Sequence, residues 1–245
     1  MTRSHFSGGA DPDGVLLVDK APGMTSHDVV AIARRALGTK KVGHCGTLDP
    51  LATGLLLITI GRGTMIQDLL MSEDKEYVGA LRLGEVTDSQ DADGEMIEVH
   101  PVPEFSREQV EEAFAKFKGD FYQTPPMISA IKKGGVPLYK LARQGKQVER
   151  EPRFVRVYTH EIKAIRLPEI DFRVVCSKGF YVRAYVNDIG RELGCGAHLK
   201  ALRRTKSGRF SVEKAVNVEE LKTLPREQLV TRILSLPTVS RFRGA

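Results

Sequence analysis

Cysteine is scarce in this chain, and its placement excludes two architectures. Cys45, Cys176 and Cys195 are the only three; they lie far apart and form no C-x-x-C pair. Neither a disulfide framework nor a zinc site is supported. No apolar stretch approaches a membrane span, and residues 1–14 lack the hydrophobic core of a secretion signal, so a cytoplasmic location is the default expectation. Internal repeats and low-complexity tracts are absent as well.

What is present belongs to an ordinary globular protein: 245 residues, 41% hydrophobic and 28% charged, enough to bury a sizeable core. The 37 Lys+Arg exceed the 31 Asp+Glu, for a net charge of +6, which suits a polyanionic partner without demanding one. Basic residues cluster at Arg34, Arg35, Lys40 and Lys41, at Lys132 and Lys133, and at Arg203, Arg204, Lys206 and Arg209. They read either as one phosphate-tracking surface or as three solvated faces.

The most concentrated stretch is GHCGTLDPLATG, residues 43–54, followed by the largely apolar run 55–60. Pro50 biases Asp49 towards an extended conformation, and the glycines permit turns and close backbone approach. A loop held by a buried strand is expected, presenting the Asp49 carboxylate on a stiff support; a plain turn has the same local signature.

Elsewhere the pattern is readable in pieces. A buried strand at 15–18 is followed by a helix whose start carries Thr25 and Asp28 as a capping box and whose stripe of Val29, Ile32, Ala33, Ala36 and Leu37 stops at Gly38. Tyr77, Gly79, Leu81 and Leu83 share one face of a strand. Ser106 and Gln109 open a second helix, with Val110, Ala113, Phe114 and Phe117 as its stripe and Gly119 at its end. Ile170, Phe172, Val174 and Cys176 alternate as a half-buried strand. A helix then carries Val182, Tyr185, Val186, Ile189 and Leu193 on one face, which leaves Arg183 off the stripe as a surface arginine. The acidic stretch 88–94 reads as a turn with no metal: with Gly94 in the sixth position of a calcium loop, Ser89 and His100 occupy places that need carboxylates. Residues 1–14 are expected to be a disordered tail, and 216–245 a helical tail.

Several of these words occur together in one family. GTLDPLATG resembles the signature of the TruB family of tRNA pseudouridine synthases, and the likeness continues through Val18 to Arg35 (compare DKPxGxTS), KEYxxxxxLGxxTD from Lys75, QxPPxxSAxKxxGxxLYxxAR from Gln123, CSKGxYxR from Cys176, and the segment from Gly196 to Arg204. The resemblance implies an α+β fold, a pseudouridine synthase domain over about 15–215 with a large mixed, mainly antiparallel sheet flanked by helices, and an RNA-gripping insertion at about 121–153. It implies isomerisation of uridine-55 in the tRNA T loop by base flipping, with no cofactor and no metal, by a cytoplasmic monomer. Asp49 is the implied catalytic aspartate, Tyr77 stacks on the base, and Arg183 pairs with Asp49; Lys20, His44, Tyr181 and Leu202 are implied to bind substrate. Burial drives a carboxylate towards protonation, and a bidentate arginine opposes that shift and fixes its orientation. His44 is suited to fill the space left by the flipped base.

Three departures accompany the likeness. Ala21 stands where the family has proline, with Pro22 following, and Cys45 where it commonly has threonine. Many members carry a further RNA-binding domain of the PUA type at the C-terminus, and too few residues follow Pro237 for one, so affinity for tRNA is expected to rest on the catalytic domain. Two other readings share the same basic surface: an RNA chaperone that refolds tRNA, and a related synthase acting on ribosomal RNA.

Overall fold

The computed structural model describes residues 12–129, 132–138, 141, 144 and 148–243. Nearly all of the tail expected over 1–14, and much of the helix expected before Gly145, lie outside these residues. Asp13 lies within them and pairs with Arg62 at 2.5 Å.

Fourteen strands are described. In the first half of the chain these are β1 (Gly14–Lys20), β2 (Val42–Cys45), β3 (Thr53–Ile60), β4 (Lys75–Leu83), β5 (Glu85–Thr87), β6 (Met96–Val99) and β7 (Gly119–Gln123). In the second half they are β8 (Lys132–Lys133), β9 (Val136–Pro137), β10 (Arg153–Arg166), β11 (Glu169–Cys176), β12 (Ala197–Ser207), β13 (Phe210–Ser211) and β14 (Val216–Asn217). Ten form one sheet in the order β14-β1-β3-β12-β4-β11-β10-β7, with β13 paired to β12 and β2 to β3; β5-β6 and β8-β9 are separate hairpins. Only the β1-β14 and β3-β12 pairs are parallel. The sheet is thus mixed and mainly antiparallel, as expected.

The α-helices given in full among the described residues are α1 (Ser26–Leu37), α2 (Gln67–Met71), α3 (Arg107–Ala115), α4 (Val182–Glu192), α5 (Val218–Thr223), α6 (Arg226–Thr231) and α7 (Leu236–Arg243). Local chemistry sets their ends. Thr25 caps α1 in a reciprocal box with Asp28, and Gly38 closes it with φ +65°, a conformation that costs glycine nothing. Ser106 and Gln109 open α3 in the same way. That helix ends at Ala115, earlier than expected, because Gly119 (φ +86°) already begins β7. The tail after Asn217 is three short helices, and Pro225, which lacks a backbone N–H, caps the second. β7, β10 and β12 are strands that the sequence pattern had not marked.

Strand β3 explains its own composition. Leu56, Ile58 and Ile60 join the main core with Leu16, Val18 and α1, while Leu55 and Leu57 face a smaller core with Val15, Leu17 and Phe210. A strand buried on both faces reads as a continuous apolar run. One edge of β3 is shared: β2 pairs with Leu57 to Ile60, and β12 with Thr53 and Gly54. Leu55 falls in the gap, and its carbonyl accepts from Arg204 Nε at 2.6 Å; the same guanidinium donates to the Gly46 carbonyl at 3.0 Å. Arg204 is only 1% exposed, so the two strands are joined by a buried side chain where their backbones part.

The close approach at that point requires glycine. Gly54 has φ +98°, and a Cβ there would run into the Arg204 carbonyl oxygen. Gly54→Ala is expected to lower unfolding free energy by about 2 kcal/mol or more, from backbone strain of about 1–3 kcal/mol with steric overlap added, measured by denaturant unfolding. Unchanged stability would mean that β3 and β12 are not locked together there.

Candidate active site

The 46–52 loop leaves β2 and returns to β3, and it is tied down at both shoulders. Ser26 Oγ, in the first turn of α1, accepts from the Leu48 N–H at 2.9 Å and lies 3.2 Å from its carbonyl. The Pro50 carbonyl accepts from Gly23 N at 2.9 Å and from Lys20 Nζ at 3.3 Å. Leu48 and Ala52 are buried in the main core. Asp49 is thereby held between two anchored apolar residues with its carboxylate turned outward.

That carboxylate enters a cavity of about 640 Å3. Tyr77 and Leu202 line it from the adjacent strands β4 and β12, with Tyr181 and Arg183 from the start of α4. Leu202 lies opposite Gly79, and a side chain at Gly79 would press on Leu202 Cδ1 at 3.3 Å. Gln123 at the end of β7 fixes Tyr181 by clamping its peptide, accepting from Tyr181 N at 2.8 Å and donating to its carbonyl at 3.1 Å.

Arg183 is 4% exposed rather than on the surface. Its Nε lies 2.9 Å from Asp49 Oδ2 and its Nη2 3.2 Å from Oδ1, a two-pronged contact. Nη1 donates to the Ser89 carbonyl at 2.9 Å, and Nη2 to that of Ile128 at 2.7 Å. Nε is also 3.5 Å from Asp91 Oδ2. The helix stripe misled because α4 is packed on more than one side: Val182, Arg183 and Ala184 are all buried.

Asp91 and Arg204 are site residues that a reading of the sequence passes over. Asp91, 5% exposed, accepts from Ser89 Oγ at 2.5 Å within the acidic turn, which docks on β12 through Ala92 N to Leu199 O at 3.0 Å. Nothing in the pattern of three aspartates says which one turns inward. Arg204 belongs to the third basic cluster, yet it is buried and sits opposite Tyr77 in the strand register. Its neighbour Arg203 pairs with Asp19 at 2.7 Å. The third basic cluster is therefore only partly a solvent face.

Lys20 and His44 stand apart from the cavity. Lys20 is fully buried beneath the loop, donating to the carbonyls of Ala21 (2.9 Å) and Met24 (2.8 Å) as well as Pro50. His44 lies on β2, its ring 5.1 Å from that of His27 and nearly perpendicular to it.

Burial dominates the electrostatics. It raises the Asp49 carboxyl above the ordinary carboxylate value; Arg183 opposes the shift and Asp91 adds to it. Arg183 therefore moderates the protonation of Asp49 without cancelling the effect of burial. Burial also raises the Tyr77 phenol against the nearby Arg204, so the ring keeps its proton at neutral pH. Burial lowers Lys20 to about 8 and His44 to about 4, which leaves the imidazole neutral at physiological pH. Among the described residues no group of three or more His, Cys, Asp or Glu is placed to hold a metal, and no helix is long and apolar enough to cross a membrane.

The charge relations fix the sign of two perturbations. With Asp49 Cγ labelled and followed by NMR against pH, Asp91→Asn is expected to move the Asp49 midpoint down by removing a like charge, and Arg183→Gln to move it up. An Asp49 midpoint indifferent to both would contradict the shared contact.

Comparison with known proteins bears on the family of the chain. Residues 34–182 match the family model described as TruB family pseudouridylate synthase (N terminal domain), and 183–236 that of the tRNA pseudouridylate synthase B C-terminal domain. The chain is 54% identical to a protein of Opitutus terrae named tRNA pseudouridine synthase B, over 91% of this chain and 92% of that one. It is 46% identical to the protein of the same name from Syntrophotalea carbinolica, over 94% and 75%. Among solved structures, a chain of a Cbf5-Nop10-Gar1 complex superposes with a TM-score of 0.74 at 28% identity, covering 94% of this chain and 62% of that chain.

Proposed function

The chain belongs to the TruB family of pseudouridylate synthases, and on that footing we propose that it is a tRNA pseudouridine synthase converting uridine-55 of the T loop to pseudouridine. The observation that carries this reading is the Asp49 carboxylate gripped by a buried arginine in a cavity walled by Tyr77 and Leu202.

The reaction breaks the bond between N1 of uracil and C1′ of the ribose and joins C5 to C1′ instead. The C5 proton leaves and N1 gains one, so nothing is oxidised or hydrolysed and no cofactor is called for. The target base must first leave the loop's stack, because its glycosidic bond is inaccessible there. In the cavity its ring lies against Tyr77 and Leu202, with Tyr181 closing the side. Asp49, ionised, acts at the glycosidic bond as nucleophile or electrostatic stabiliser, and Arg183 is the positioning residue that aims it. His44, neutral and on the rim of the loop, fills the gap in the RNA. Lys20 acts from beneath, through the loop it holds and the positive charge it places near Asp49. The enzyme works in the cytoplasm as a monomer.

An unmodified tRNA transcript with tritium at uracil C5 tests the reading. Wild type is expected to release tritium and to leave one modified position in the T loop; Asp49→Asn is expected to bind the transcript and release none. Arg183→Lys is expected to slow release by about a hundredfold, the scale of a misplaced catalytic group. The wild-type rate should fall with decreasing pH beginning above the ordinary carboxylate range, because the Asp49 carboxyl is raised and its ionised form is required. Tritium release by Asp49→Asn at the wild-type rate would overturn the assignment.

A further inference from the structure

The rim of the cavity continues onto a sheet face where two aromatic rings stand in solvent. Tyr122 on β7 and Phe154 on β10 are directly opposite in the strand register. They are 72% and 62% exposed, with ring centroids 5.8 Å apart and planes at 73°. The two rings form one contiguous exposed apolar pair at the edge of the cavity, and contiguous apolar surface is what marks an interaction site. Phe154 also lines the catalytic cavity.

Farther along the same face the exposed residues are engaged. Arg156 Nε and Nη2 hold Asp120 at 2.6 and 2.5 Å, the Arg156 guanidinium lies 5.9 Å from the centre of the Tyr158 ring, and Tyr158 Oη donates to Asp74 at 3.1 Å. Among the described residues the one ring contact of Tyr122 and of Phe154 is with each other, and the Tyr122 hydroxyl makes no hydrogen bond. Arg153 and Lys178 also line the cavity, both exposed and without a carboxylate partner among the described residues. Open aromatic faces beside free cations, continuous with a pocket for a flipped base, form the combination that binds single-stranded nucleic acid: rings stack on bases while cations follow the backbone.

We propose that Tyr122 and Phe154 form a stacking platform for an unpaired nucleotide next to the target uridine, whose phosphates Arg153 and Lys178 hold. This rests on the function proposed above and adds to it a second, non-reacting base site. The platform holds the loop open after flipping, and its contribution is to RNA affinity.

The test measures affinity and chemistry separately on the full chain. Binding of a fluorescein-labelled T-arm hairpin RNA is followed by anisotropy, and single-turnover pseudouridine formation at saturating hairpin is followed in parallel. Tyr122→Ala and Phe154→Ala are each expected to raise the Kd by about fivefold or more, and Tyr122→Ala, whose ring is not part of the cavity lining, is expected to leave the saturated rate unchanged. Phe154→Tyr should retain the wild-type Kd and Phe154→Leu should not, since a base stacks on an aromatic face and not on mere bulk. The slope of log Kd against log salt should stay as in wild type for the ring variants and become shallower for Lys178→Ala, which removes a phosphate contact. Both rings are exposed, so thermal unfolding should not move. Unchanged hairpin affinity in the Tyr122→Ala/Phe154→Ala double variant would overturn the platform, as would full rescue by Phe154→Leu. A wild type that forms no pseudouridine while the ring variants still lose hairpin affinity would overturn the proposed reaction and leave the platform standing.

Discussion

A single guanidinium, that of Arg183, meets three segments that are distant in sequence: the 46–52 loop through Asp49, the acidic turn through Ser89 and Asp91, and the Ile128 carbonyl. A charge only 4% exposed cannot be left unpaired; removing one partner of a buried ion pair typically costs about 3–5 kcal/mol. Each of those segments must therefore be in place for the others to be satisfied. The Asp49 carboxylate is aimed by the same contacts that close the fold around it.

The sheet supplies the rest of the constraint. β4 and β12 lie side by side and deliver Tyr77 and Leu202 to one wall, while Arg204 bridges the gap where β2 and β12 diverge along β3. Lys20, Arg183 and Arg204 are all buried near Asp49 and Asp91. Arg183, Arg204, Lys75, Arg153 and Lys178 line the cavity against Asp49 and Asp68, which leaves its lining positive within a chain of net charge +6. Such a field favours a polyanion at long range and a carboxylate at short range. Asp49 therefore sits between a burial that disfavours its charge and the cations Arg183 and Lys20 that favour it.

Much of this was legible before any coordinates. The capping pairs Thr25/Asp28 and Ser106/Gln109 placed two helix starts, the alternation in β4 and β11 named their buried faces, and the continuous apolar run marked β3 as a strand covered on both sides. Family wording brought Asp49, Tyr77, Tyr181, Arg183 and Leu202 together, and these do share one cavity. What escaped depends on contacts distant in sequence. Arg183 is one position off a helix stripe, and only the loops folded over α4 make it interior. Asp91 is one of three aspartates in a turn, chosen by the docking of that turn on β12. Arg204 fills a gap between strands whose pairing the pattern had not revealed. The helical tail expected over 216–245 is divided into three helices, the first break falling at Pro225, a residue whose effect on a helix is local.

The shared arginine contact is tested most directly by a double-mutant cycle on single-turnover pseudouridine formation, combining Arg183→Lys with Asp91→Asn at saturating tRNA transcript. If both residues act on Asp49 as one unit, the double variant will be about as slow as the slower single variant. Rate penalties that multiply, as for independent sites, would contradict a common network and leave Asp49 aimed by some other contact.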